Sequence, residues 1–181
     1  IIGMEVTGAI VLGNGAGSLS NIVIENCRLN YVTNSGISSL TNILIRQNVL
    51  QNQTGIQAMI FTVANQSNII VSNNVFSSIS TAATYYGPHV TTGGVTFDHI
   101  LFLGISSQRA FFSLTNCLVK NNIFLGRFPG ATSNSLTNVT YQNNSSTDYA
   151  FSALVGTNVS LDTNIDNSNP VFTNLDIGTV A

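Results

Sequence analysis

Ser39-Leu40-Thr41-Asn42-Ile43-Leu44-Ile45-Arg46-Gln47-Asn48-Val49-Leu50 is the stretch from which the architecture of this chain can be read. Its first four residues recur as Ser18-Leu19-Ser20-Asn21, Ser113-Leu114-Thr115-Asn116 and Ser135-Leu136-Thr137-Asn138. Behind each Asn the same alternation follows: Ile22 and Ile24, Ile43 and Ile45, Cys117 and Val119, Val139 and Tyr141. Asn68 with Ile69 and Val71, Asn158 with Val159 and Leu161, and Gly94 with Val95 and Phe97 complete the series. The seven anchors at 21, 42, 68, 94, 116, 138 and 158 are 21, 26, 26, 22, 22 and 20 residues apart, about 23 on average. Alternation with period two places successive side chains on opposite faces of a strand. One short strand cannot bury its apolar face alone, so similar strands at a fixed period must stack. Gly, Asn, Ser and Thr between them are turn residues, and no segment has helical periodicity. The fold predicted is all-β, a parallel β-helix of about seven to eight coils with about 23 residues per coil, in one domain spanning 1–181.

Stacking turns each repeat position into a column. Six residues after the anchor the column is Cys27, Asn48, Asn74, Ile100, Asn122, Asn144 and Asn164. Buried amides must be hydrogen-bonded, and Asn above Asn can bond its neighbour and the turn backbone. The expectation is an internal ladder of Asn48, Asn74, Asn122, Asn144 and Asn164 at a tight turn, with an Asn-lined groove as the alternative. Two residues on, Leu29, Leu50, Phe76, Phe102 and Phe124 predict an aromatic stack in the core. At two after the anchor, Val23, Leu44 and Ile70 form an outward apolar stripe, either a contact surface or scattered sheet-surface residues. At four after the anchor, Glu25, Arg46, Ser72, Asp98, Lys120, Gln142 and Asp162 hold much of the ionisable content. Opposite charges in neighbouring strands stabilise a sheet. The competing reading makes Lys120 a base beside Asp98 in an exposed cleft.

Composition narrows the function. Only 7% of the 181 residues are charged, five Lys plus Arg against seven Asp plus Glu, while there are 24 Asn, 20 Ser and 19 Thr. So few cations cannot neutralise a phosphate backbone, which argues against nucleic-acid partners. No apolar run approaches the ~18 residues of a membrane-spanning helix, so membrane insertion is not expected. The chain opens on Ile1 close to a strand unit and reads as a piece of a longer one. Cys27 and Cys117 fall in different columns about four coils apart, roughly 19 Å at ~4.8 Å per coil, too far for a disulfide.

The pattern Asn-(Ile/Val)-x-(Ile/Val)-x-(Asn/Gln)-Asn-x-(Leu/Phe), as in Asn42 to Leu50, Asn68 to Phe76 and Asn116 to Phe124, resembles the parallel β-helix repeats of the pectin-lyase-like superfamily. That resemblance covers nearly the whole chain and implies a right-handed coil. Ser168-Asn169-Pro170-Val171-Phe172-Thr173-Asn174 is similar to a segment that closes β-helices of secreted and surface-anchored bacterial proteins, which implies an extracellular or cell-surface location. The superfamily includes lyases with acidic Ca²⁺ clusters and hydrolases with three Asp on adjacent coils. The acidic residues here are spread over different coils and columns. Two isolated His offer no zinc site, and neither metal nor cofactor is expected.

A loop insertion at 77–93, carrying Tyr85, Tyr86 and His89, is the place where sugar binding could reside, since flat rings stack on sugar faces. If the protein is a lyase, Lys120 or His89 would be the base, Tyr85 or Tyr86 the proton donor, and Arg109 or Arg127 the partner of a uronate carboxylate. The leading expectation is a non-catalytic extracellular module, structural, adhesive or glycan-binding, able to stack end to end into fibres. A polysaccharide lyase on a uronate-containing glycan and a tailspike-like depolymerase are the alternatives.

Overall fold

The computed structural model describes residues 1–13, 15, 17–52, 58–78, 87–131 and 135–166. Within them the chain winds as a parallel β-solenoid whose sixteen strands join one continuous sheet. One stack contains β2 (Ser18–Glu25), β4 (Ser39–Arg46), β7 (Asn65–Ser72), β10 (Val95–Asp98), β12 (Ser113–Lys120), β14 (Leu136–Gln142) and β16 (Thr157–Asp162). A second contains β1 (Glu5–Leu12), β3 (Arg28–Asn34), β5 (Val49–Asn52), β8 (Val75–Ser78), β11 (Leu101–Arg109), β13 (Ile123–Phe128) and β15 (Ser145–Ser146). β6 (Met59–Phe61) and β9 (His89–Val90) run between β3 and β12. Successive strands of the first stack are separated by six turns of about 22 residues, slightly fewer and tighter than the seven to eight coils of about 23 expected from the anchors.

Register follows the repeat residue for residue. Ile22, Ile43 and Ile69 are paired, then Ile69 with Val95, Cys117, Val139 and Val159. Leu29, Leu50, Phe76, Phe102 and Phe124 form the second inward column, ending at Ser146. Its three Phe rings are stacked, with centroids 5.2 Å apart for Phe76 and Phe102 and 4.8 Å for Phe102 and Phe124. Phe111 closes the core from the side, meeting Phe102 and Phe124 edge-on. Such ring pairs add about 0.5–1.5 kcal/mol each beyond burial.

The buried Asn ladder is present, and its bonding explains why the column wants an amide. Each Oδ1 accepts the backbone N–H of the column residue one coil earlier: Asn48 from Cys27 (2.9 Å), Asn74 from Asn48 (2.9 Å), Asn122 from Ile100 (2.8 Å), Asn144 from Asn122 (2.9 Å) and Asn164 from Asn144 (3.0 Å). Each Nδ2 donates to the carbonyl ending the inward run of the preceding coil: Asn48 to Ile24, Asn74 to Ile45, Asn122 to Phe97, Asn144 to Val119 and Asn164 to Tyr141. An apolar replacement would leave both the turn N–H and that carbonyl buried without a side-chain partner.

The anchor Asn marks a corner of the coil. Among the described residues, all thirteen non-glycine residues with positive φ fall at two repeat positions. Six are the anchors Asn21, Asn42, Asn68, Asn116, Asn138 and Asn158; the other seven are Asn26, Gln47, Asn73, His99, Asn121, Asn143 and Thr163, five residues later. These are two of the corners at which the chain turns, and the left-handed conformation is least costly for Asn after Gly. The anchors build a second, exposed ladder, Asn42 Nδ2 donating to Asn21 Oδ1 at 3.2 Å, Asn68 to Asn42 at 2.7 Å, Asn138 to Asn116 at 2.8 Å and Asn158 to Asn138 at 2.9 Å. At the fourth coil Gly94 takes the corner at φ +73°, where a Cβ would stand 2.6 Å from the Gln66 carbonyl oxygen.

The two ladders separate by depth. Asn122→Ala is expected to lower unfolding free energy by about 2–4 kcal/mol, since it orphans buried backbone groups. Asn116→Gly, exposed and at a corner that suits glycine, should cost less than about 1 kcal/mol. Urea unfolding of both variants beside wild type checks the ordering.

Candidate functional site

Ionisable side chains converge most closely on the outer face of β10 and β12. The column Glu25, Arg46, Ser72, Asp98, Lys120, Gln142, Asp162 is aligned coil by coil. Arg46 Nε lies 2.6 Å from Glu25 Oε2, Lys120 Nζ 3.4 Å from Asp98 Oδ2, and Gln142 Nε2 donates to Asp162 Oδ2 at 3.3 Å. Such surface pairs each contribute at most about 1 kcal/mol.

Asp98 is the centre of the densest group. Its Oδ1 is 2.7 Å from Nδ1 of His99 and accepts a hydrogen bond from Asn121 Nδ2 at 2.8 Å. Partial burial alone would raise the Asp98 carboxyl pKa, but the Asn121 amide and the charges of His99 and Lys120 outweigh it and hold the pKa below its ordinary value. His99 is the residue that spacing alone missed. It occupies the corner position after Asp98 with φ 52°, and that conformation sets its ring beside the carboxylate. Recurrence of Asn or Gln at this corner, with His replacing it only in the fourth coil, was the available signal.

The other expected site residues lie apart. His89 is not in a free loop: with Val90 it forms β9, paired to Ile60 and Ser113, so the stretch 77–93 is partly solenoid wall. Its half-buried ring packs on Phe112 at 4.7 Å, and burial lowers its pKa. Arg109 ends β11 with its guanidinium 4.8 Å over the Phe128 ring, a cation–π contact. Arg127 is 3% exposed, so it does not present its charge to a polymer outside. Burial lowers its pKa to about 10, and its Nε has no partner among the described residues. Tyr85 and Tyr86 lie outside the described residues. Lys120, His89 and Arg109 thus occupy three different strand registers and share no hydrogen bond or ion pair among those resolved here.

One cleft is cut into the second stack at the first coils, lined by Glu5, Val6, Thr7, Arg28, Leu29, Asn30 and Gln51. Its volume of about 90 Å³ is well below the ~300 Å³ at which small-molecule pockets begin. Arg28 is already held there, Nε and Nη2 donating to Gln51 Oε1 at 3.1 and 2.6 Å. Among the described residues no three His, Cys, Asp or Glu side chains are grouped to hold a metal, and no helix is long and apolar enough to cross a membrane. Cys27 and Cys117 are buried free thiols, and burial raises the Cys117 pKa to about 12. The chain matches no known protein-family model, no curated protein and no solved structure.

The Asp98 cluster has a defined pH signature. Because the folded-state pKa is depressed, its contribution is present above the unfolded value near ~4 and is lost as pH falls through the lower folded value. Unfolding free energies of wild type and Asp98→Asn should therefore differ at pH 7 and converge in strong acid. A difference that persists unchanged into acid would refute the assignment.

Proposed function

We propose that the protein is a non-catalytic β-solenoid module of an extracellular or cell-surface protein, structural or adhesive in role and able to engage a glycan along its wall. The observation that carries this reading is how the charged column is used: Glu25 with Arg46, Asp98 with Lys120, and Gln142 with Asp162 are satisfied in register between adjacent coils, and His99 adds a contact to Asp98 within its own coil. Charge spent on register supports a scaffold role. Kinship with the pectin-lyase-like superfamily, resting on the repeat residues and the parallel coil, belongs to the same proposal.

A polysaccharide lyase is the second reading, and the Asp98, His99 and Lys120 cluster favours it. A basic group beside a carboxylate on a solvent-facing wall could take a proton from the carbon next to a uronate carboxyl group. One experiment separates the two. Incubation with a panel of acidic polysaccharides should give no ultraviolet absorbance of unsaturated uronates, while retention on immobilised glycans is measured in parallel. Absorbance that disappears in Lys120→Ala would establish the lyase instead.

A further inference from the structure

The wall ahead of the anchor corner has a surface unlike the rest of the molecule. Its strands read Ser18-Leu19-Ser20, Ser39-Leu40-Thr41, Asn65-Gln66-Ser67, Ser113-Leu114-Thr115 and Ser135-Leu136-Thr137, followed by Thr157 in the last coil. Leu40, Leu114 and Leu136 are buried, and the residues flanking them are partly exposed. Two outward columns result. Ser18, Ser39 and Asn65 are in register in one; Ser20, Thr41 and Ser67, and later Thr115, Thr137 and Thr157, in the other. The exposed Asn ladder runs alongside as a third, its amides tied coil to coil. Thr91 to Gly94 in the fourth coil divide the array into two blocks of three coils.

In-register strands give this net about 4.8 Å between coils and about 6.7 Å between alternate residues of one strand. Apart from His89, in register with Ser113 at the break between the two blocks, no side chain in these columns is acidic, basic or aromatic. Away from His89 and the Phe112 ring it packs on, the Ser/Thr/Asn columns of each block give a charged polymer nothing to pair with and a sugar ring no aromatic face to stack on. What the surface offers is hydroxyl, amide and methyl groups at fixed intervals on a hydrogen-bonded sheet. The hydrogen-bonded oxygen rows on a prism face of ice repeat at closely similar intervals in both directions. Side chains pre-ordered on the sheet would hold water in that arrangement with little further loss of entropy.

We propose that the Ser/Thr/Asn wall is an ice-binding face, its ligand the ordered water lattice at an ice surface. The inference is independent of the glycan reading, which concerns the charged wall on the other side of the anchor corner. The test is ice growth in a solution of the purified chain, followed by nanolitre osmometry and by partition of the protein into a slowly growing ice hemisphere. Faceted crystals, a gap between melting and freezing points, and enrichment in the ice are expected. Thr41→Tyr with Thr137→Tyr should lose most of all three, whereas Thr140→Tyr, on the charged wall between Leu118 and Ser160, should keep them. Far-UV circular dichroism verifies that each variant is folded, and Thr41→Lys with Thr137→Lys replaces the bulky pair if it is not. Round, unfaceted crystals with folded wild type would overturn the proposal. Equal loss in the Thr140 variant would also overturn it, as would adsorption to crystalline cellulose or chitin without any effect on ice.

Discussion

Each strand of this protein makes its backbone hydrogen bonds to another coil, and that exchange is what the rest of the structure depends on. A short strand such as Val95–Asp98 has no stability alone; it is held because Ile69–Ser72 and Cys117–Lys120 lie in register on either side. Register in turn decides which side chains meet. A slip of one residue would drive the isoleucines outward and the charged column into the core. The repeat therefore has to be specified at its corners as well as along its strands, and there the amides act.

The two Asn ladders perform different physical tasks. The inner one satisfies buried N–H and C=O groups that a tight turn cannot pair within its own coil, so Asn48, Asn74, Asn122 and Asn144 are all almost fully buried. The outer one sits where the backbone requires positive φ, and its coil-to-coil bonds align the corner. One residue type thus serves both because its side chain is short enough to tolerate the left-handed region and carries both donor and acceptor. Ile100 and Gly94 are departures within a single coil, the fourth, in which His99 also replaces the usual corner amide. The group with the strongest claim to chemistry, Asp98 with His99 and Lys120, therefore lies where the repeat is least regular.

Much of this was legible in the residues. The column from Glu25 to Asp162, the Phe stack and the internal amides all follow from the spacing of anchors and the period of two, because a parallel stack converts sequence separation directly into adjacency. His99 escaped because its proximity to Asp98 depends on a corner dihedral, which no alternation pattern encodes. His89 was misplaced for a related reason: the spacing between Asn68 and Gly94 marked extra residues but not which of them return to the sheet. Arg127 looked available in sequence, since an arginine is usually exposed; its burial follows from the left-handed Gly126 just before it, where the alternation along β13 is broken.

By itself the sequence determined the class of fold, the register, the core columns and the uncharged character of the wall, since all of these are consequences of a repeated pattern and of composition. Tertiary structure alone decided which amides take the positive-φ corners, that His99 converges on Asp98, and in which strands His89, Arg109 and Lys120 stand. The division has one physical reason. Pattern fixes which face of a strand a side chain occupies, while the bends between strands, set by a few positive-φ residues, fix where that face points in space.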